Sequence, residues 1–166
     1  MKATDVIIYT DMDGTALTDW SLGPVVPERN LARIRAFVSA GGLFSVASGR
    51  QAPGILQLFP GVAFHAPLVC GNGSVIYDPA EQQVLRKTCL PADYKCACVS
   101  YFLTHPEVWI VAADETRIWQ IVSGDPARDD QLNDWPRPRM SIEDFLSGDY
   151  VKVVYILAEG GGMEAL

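Results

Sequence analysis

Two aspartates follow a short apolar segment near the start of the chain. Asp11 and Asp13 belong to the stretch DMDGT (11–15), directly after residues 5–10, whose β-branched and aromatic side chains are typical of a strand buried on both faces. Ligands of parallel α/β sheets bind at the carboxyl ends of the strands, so both carboxylates are expected at a site. One carboxylate could attack phosphorus while the other exchanges a proton with the leaving oxygen and with water. The alternative is a plain Asp-Gly turn.

A second polar loop follows the next apolar segment. Ser48 ends the strand candidate 43–48, and Gly49 and Arg50 come directly after it. A hydroxyl, backbone amides and a guanidinium are the groups that bind phosphoryl oxygens. The alternative is a polar strand-to-helix turn with a solvated arginine.

A third loop, Gly-Asn-Gly-Ser (71–74), contains Asn72 and follows the strand candidate 67–70. It is again polar and exposes its backbone. Three successive strands that all end in such loops favour a phosphate site over three unrelated turns.

The elements between these loops alternate regularly. Residues 27–40 carry apolar side chains at helical spacing and end at Gly41 and Gly42, which predicts an amphipathic helix. A weaker helix is expected over 52–58. Strand, helix, strand, helix, strand with short connections predicts a parallel α/β sheet.

The pattern changes after residue 78. Short strand and helix candidates alternate with a loop rich in Asp, Pro and Arg, which favours an α+β unit with antiparallel strands. We therefore expect two domains, residues 1–78 and 79–166. The strand candidates of the second are 83–89, 107–112, 117–122 and 151–158, its helix candidates are 91–104 and 141–147, and its loop is 124–139.

Three stretches of the first domain resemble a known family. IIYTDMDGTAL (7–17), FSVASGR (44–50) and VCGNGSVIYD (69–78) are similar to motif I, motif II and the Asn-Gly segment of the haloacid dehalogenase (HAD) superfamily, in its Cof-type sugar-phosphatase branch. The resemblance implies a partial Rossmann-like core with an inserted α+β cap.

The same resemblance implies an activity and roles for residues. A Mg²⁺-dependent hydrolase of small phosphorylated, sugar-phosphate-like metabolites is expected, working through an aspartyl-phosphate. Asp11 would be the nucleophile and a Mg²⁺ ligand, and Asp13 the general acid/base whose backbone carbonyl also meets the metal. Ser48 would bind the transferring phosphoryl group. The other expected phosphate or substrate ligands are Thr15, Gly49, Arg50 and Asn72.

The amino-acid composition and net charge indicate which classes of binding partner to expect. The chain is 49% apolar and 20% charged, with a net charge of −7, so we expect a globular protein that does not bind nucleic acid or anionic membranes. The short apolar start does not resemble a signal peptide, and a cytoplasmic location is expected. The four cysteines are expected to be reduced, the alternative being a zinc site with only Cys96 and Cys98 as ligands.

The end of the sequence departs from the family pattern. In the family a lysine and a second acidic motif follow the cap, whereas this sequence ends in GGGMEAL (160–166), and Lys152 lies in a cap strand candidate. A truncated, catalytically inactive binding or interaction protein is therefore the alternative. We also expect strand 5–10 to be an uncovered apolar edge, so that the chain self-associates through it or through the cap.

Overall fold

The computed structural model describes residues 2–17, 25–132 and 137–157. The chain divides between Lys87 and Thr88 into two compact units, each with its own sheet and helices. No helix in these ranges has the length and apolar character needed to cross a membrane.

The first unit begins with the predicted alternation of strands and helices. Its elements are β1 (Ile7–Thr10), α1 (Glu28–Ser39), β2 (Leu43–Val46), α2 (Ala52–Leu58) and β3 (Leu68–Cys70). β1 and β2 are parallel, with Ile7 opposite Leu43, and a parallel bridge between Ala47 and Val69 joins the end of β2 to β3. The predicted parallel α/β arrangement is confirmed. All three strands therefore end at the same edge.

A hairpin completes the first unit. β4 (Val75–Asp78) pairs antiparallel with both β3 and β5 (Gln83–Lys87). The sequence pattern places the boundary between residues 78 and 79 and assigns the strand candidate 83–89 to the second domain. The structure divides the chain after Lys87 instead, because β5 pairs with β4.

Two glycines end α1 and set the start of β2. Gly41 has φ +90°, a left-handed conformation that favours glycine. Gly42 lies against the ring of Phe37, so close that a β-carbon there would clash. The chain can therefore turn sharply from α1 into β2, which carries the second polar loop at its other end.

An aromatic cluster, buried at Phe44 and Phe59 and partly buried at Phe64, joins β2 to the end of α2. The rings of Phe44, Phe59 and Phe64 lie 5.8 to 6.0 Å apart in tilted, stacked and edge-on arrangements. Such pairs add to the free energy of burial. Ser45 is also buried on β2 and donates hydrogen bonds to the carbonyl oxygens of Ala66 and Pro67, at 3.1 and 2.8 Å. These contacts fix the segment that leads into β3.

The prediction that the first strand is buried on both faces is wrong. Ile7, Ile8 and Tyr9 are 48%, 42% and 44% exposed. Within the described residues β2 is the only strand that pairs with β1, so one edge of β1 carries no neighbour. The apolar run is typical of a buried strand, but burial depends on what lies beside it.

The second unit is a four-stranded sheet with helices packed against it. Its strands lie in the order β8 (Arg139–Met140), β7 (Ile118–Ile121), β6 (Val108–Ala113) and β9 (Lys152–Leu157). They are antiparallel except for the parallel pair β7 and β8. Two predicted segments extend beyond the described residues: the strand candidate 151–158 at position 158, and the loop 124–139 at positions 133–136. The elements are α3 (Ala92–Thr104), β6 (Val108–Ala113), β7 (Ile118–Ile121), α4 (Pro126–Asp129), β8 (Arg139–Met140), α5 (Ile142–Ser147) and β9 (Lys152–Leu157).

Candidate active site

The loop after β1 presents two aspartates on its outer side. Met12 is fully buried, while Asp11 and Asp13 on either side of it are exposed. Gly14 has φ +81°, and the amide of Leu17 donates to the carbonyl oxygen of Met12 at 2.9 Å, which closes the turn. The buried Met12 thus anchors a turn that directs both carboxylates away from the core.

A cavity of about 300 Å³ adjoins Asp11. It joins the ends of all three core strands and brings together four of the predicted site residues, Asp11, Ser48, Gly49 and Asn72. We call it the Asp11 cavity; Ala47, Val69 and Gly73 complete its lining. The cavity therefore places a carboxylate beside a hydroxyl and a carboxamide.

The Ser48 loop is held by its neighbours through the backbone. The amide of Ser48 donates to the carbonyl oxygen of Val69 at 2.9 Å, and the amide of Asn72 donates to the carbonyl oxygen of Ser48 at 3.1 Å. The Ser48 hydroxyl accepts a hydrogen bond from the amide of Arg50 at 3.3 Å. Ser48 itself is buried and lines the Asp11 cavity.

Arg50 contacts Asp13. Its Nε donates to Asp13 Oδ2 at 3.0 Å, and its Nη2 donates to Asp13 Oδ1 at 2.7 Å, a two-point ion pair. The sequence places Arg50 at the phosphate or substrate and does not foresee this contact. The two residues are 37 positions apart, and no local signal in either loop indicates the pairing.

Thr15 lies next to the nucleophile candidate but faces a second cavity. Its hydroxyl donates to Asp11 Oδ2 at 3.4 Å. Thr15 lines a separate space of about 330 Å³ whose walls include Ile8 on β1 and Phe37 on α1. Its contact is therefore with the Asp11 carboxylate, and it is not part of the Asp11 cavity lining.

Cys70, at the end of β3, is a buried neighbour of this site that sequence reasoning did not single out. It is 1% exposed, and burial raises the pKa of its thiol to about 11. The thiol is therefore neutral at physiological pH and behaves as a small apolar group.

The donors of the site are hard oxygens. In the described part of the chain there is no cluster of three or more His, Cys, Asp or Glu side chains arranged for a metal. Mg²⁺ does not require one, because it keeps several waters and binds through one or two carboxylates together with substrate phosphate oxygens. An exposed Asp11 carboxylate at a polar cavity fits that ion.

The fold and site define a class of protein. The chain belongs to the haloacid dehalogenase-like hydrolase family, whose model matches residues 8–159. It is 31% identical over 121 residues to the Escherichia coli (strain K12) protein 5-amino-6-(5-phospho-D-ribitylamino)uracil phosphatase YbjI. That match covers 73% of this chain but 43% of the E. coli protein. The chain thus spans less than half the length of this relative.

Solved structures share the fold. The HAD subclass IIB sugar phosphatase BT4131 superposes with a TM-score of 0.67 at 16% identity, covering 90% of this chain and 58% of that one. A haloacid dehalogenase-like hydrolase from Bacteroides thetaiotaomicron superposes with a TM-score of 0.62 at 22% identity, covering 89% and 55%. The family assignment made from DMDGT and SGR is confirmed.

Proposed function

We propose that this protein is a Mg²⁺-dependent hydrolase of small phosphomonoesters that works through an aspartyl-phosphate on Asp11. The observation that carries the proposal is the Asp11 cavity, which Asp11, Ser48 and Asn72 line together. A nucleophile and phosphate-binding groups share one small space. Its volume, about 300 Å³, suits a small ligand.

The walls of the cavity can bind a phosphoryl group. The Ser48 hydroxyl and the Asn72 carboxamide offer hydrogen bonds to its oxygens. Gly49 and Gly73 carry no side chain and let a ligand approach the backbone closely. The Asp11 carboxylate at the same cavity is then the group that meets phosphorus.

The two aspartates supply the chemistry in two steps. In the first, a carboxylate oxygen of Asp11 bonds to phosphorus, the phosphorus–oxygen bond of the ester breaks, and protonated Asp13 gives its proton to the leaving oxygen. In the second, water attacks phosphorus and gives a proton to Asp13, and the bond to Asp11 breaks. Both carboxyl groups return to their starting forms, with alcohol and phosphate as products.

Two groups of the chain would hold the metal. The Asp11 carboxylate and the Asp13 backbone carbonyl would be its protein ligands, in keeping with the preference of Mg²⁺ for oxygen. When bound, the ion would offset the negative charge of the nucleophile and the phosphate.

The names of the relatives support a phosphorylated sugar or polyol as the substrate class. The E. coli protein is a phosphatase for a compound with a phosphorylated ribityl group, and BT4131 is a sugar phosphatase. We extend only this class to the present protein.

Phosphate release from a panel of sugar and polyol phosphates tests the proposal. The wild-type protein should release phosphate with Mg²⁺ but not with excess EDTA, and Asp11→Asn should abolish release. Asp149→Asn is the matched control, because Asp149 is exposed, undergoes the same chemical change and is not among the residues that line the Asp11 cavity. Release that persists in Asp11→Asn or in EDTA would contradict the proposal, and so would no release from any substrate.

A further inference from the structure

We propose that Arg50 acts as a positioning residue for Asp13 and is not a phosphate ligand. This inference rests on the proposed function, because it assigns Arg50 a part in the proton transfers of Asp13. It is drawn from the ion pair between the two side chains, which the sequence motifs do not foresee.

The geometry of the pair fixes the plane of the carboxylate. Nε and Nη2 of Arg50 lie on one edge of the guanidinium and donate to the two different oxygens of Asp13, at 3.0 and 2.7 Å. Two parallel hydrogen bonds of this kind define an orientation as well as a distance. Each carboxylate oxygen has two lone pairs, so each keeps one for exchanging a proton.

Arg50 can act as a fixed support because its own backbone is held on both sides. Its amide donates to the Ser48 hydroxyl at 3.3 Å, and its carbonyl oxygen accepts from the amide of Gly71 at 3.1 Å. Asp13, in contrast, lies in an exposed turn beside Gly14, and its carboxylate reaches out from that turn. The guanidinium therefore joins the carboxylate to a loop that backbone hydrogen bonds hold in place.

Positioning of Asp13 explains the ion pair better than a role in stability or in phosphate binding does. The side chains of Arg50 and Asp13 are 24% and 36% exposed, and partly exposed ion pairs contribute little to stability. The residues lining the Asp11 cavity include Ser48 and Asn72 but neither Arg50 nor Asp13. The Nε/Nη2 edge of the guanidinium is engaged with Asp13.

Leaving groups of different basicity separate these roles. An alkyl phosphate such as glycerol phosphate needs a proton on its leaving oxygen, whereas 4-nitrophenyl phosphate does not. We expect Arg50→Gln to slow single-turnover release of glycerol by about 100-fold, the lower range for loss of a general acid. Release of 4-nitrophenol should slow less than about fivefold, because no acid is needed there. Arg50→Lys keeps the positive charge but cannot donate two parallel hydrogen bonds to one carboxylate. Its rate of glycerol release should therefore lie between the rates of wild type and Arg50→Gln.

A binding measurement completes the test. The inhibition constant for inorganic phosphate should be within about twofold of wild type in Arg50→Gln, since a lost charged phosphate contact would weaken binding about tenfold or more. Arg29→Gln is the control for the loss of one positive charge, because Arg29 is exposed on α1. Melting temperatures of all variants should agree with wild type.

The outcomes separate the two proposals. Equal slowing of both leaving groups by Arg50→Gln, or a phosphate inhibition constant raised tenfold, would overturn the positioning role while leaving the proposed function intact. A wild-type protein that neither turns over substrate nor binds phosphate would overturn the proposed function and the role of Arg50 with it.

Discussion

The backbone amide of Asn72 donates to the carbonyl oxygen of Ser48 at 3.1 Å, so the loop after β3 directly supports the loop after β2. Gly71 makes the equivalent contact with the carbonyl oxygen of Arg50. Asn72 makes its contact in a left-handed conformation, with φ +58°, which is uncommon for a residue other than glycine. Its side chain and its backbone can therefore be tested separately.

Substitution of Asn72 by glycine and by alanine should have different effects. Asn72→Gly keeps the left-handed backbone and removes the carboxamide, so stability should change little while the KM for a phosphomonoester rises about tenfold, as for a lost hydrogen bond to a charged group. Asn72→Ala should in addition lower the free energy of unfolding by about 1 kcal/mol, because alanine is strained at this φ. Denaturant unfolding and steady-state kinetics measure both effects. An Asn72→Gly variant with wild-type KM would show that the carboxamide does not bind substrate.

Lys95 stabilises the second unit by capping a helix. It is buried on α3, and its Nζ donates to the carbonyl oxygens of Leu146 and Gly148, at 2.6 and 2.7 Å, at the end of α5. Lys95→Met should lower the free energy of unfolding by about 2 kcal/mol, because two carbonyls lose a charged donor. Lys2→Met, at an exposed lysine, is the control and should be neutral. Equal stability of the two variants in denaturant would contradict this role.

The buried thiol of Cys70 should make stability depend on alkaline pH. Burial raises its pKa from 9.0 to about 11, so the unfolded chain loses this proton at a lower pH than the folded chain does. The neutral thiol therefore makes its full contribution to the free energy of unfolding below pH 9, and this contribution is lost as the pH rises from 9 to 11. Between pH 7.5 and pH 10 wild type should lose about 1 kcal/mol more than Cys70→Ala in denaturant unfolding. Parallel pH profiles of the two proteins would show that the thiol does not titrate in this way.

The exposed edge of β1 should promote self-association. Unpaired edge strands with apolar side chains are templates for pairing with other chains, and a charged residue suppresses this. Ile7→Lys should therefore reduce concentration-dependent light scattering. Leu103→Lys is the matched control, since Leu103 is exposed to a similar extent, 53% against 48%, but lies on a helix. An equal effect of both substitutions would indicate general surface hydrophobicity instead of strand pairing.

The features that sequence predicts well are local. The helix candidate 141–147 forms α5 (Ile142–Ser147), and the amide of Asp144 donates to the Ser141 hydroxyl at 3.0 Å, because cap and helix lie within one turn of chain. The position of DMDGT after a strand follows in the same way from the pattern of residues 5–10.

Features that depend on long-range contacts are not predicted. The Asp13–Arg50 pair requires the relative placement of two loops that lie far apart in sequence. The pairing of β5 with β4 and the exposure of Ile7 both depend on which strands lie side by side, and residue types do not specify that. The catalytic and binding roles of the site residues remain predictions.

The most direct test of the account is chemical trapping of the covalent intermediate. Substrate and Mg²⁺ are mixed with the protein, the reaction is quenched within one turnover, and borohydride reduces any aspartyl-phosphate to homoserine, which mass spectrometry of the peptides then locates. We predict homoserine at position 11 only when substrate and Mg²⁺ are both present, and none in Asp11→Asn. Turnover without modification at position 11, or with modification at another residue, would contradict the assignment of Asp11 as the nucleophile.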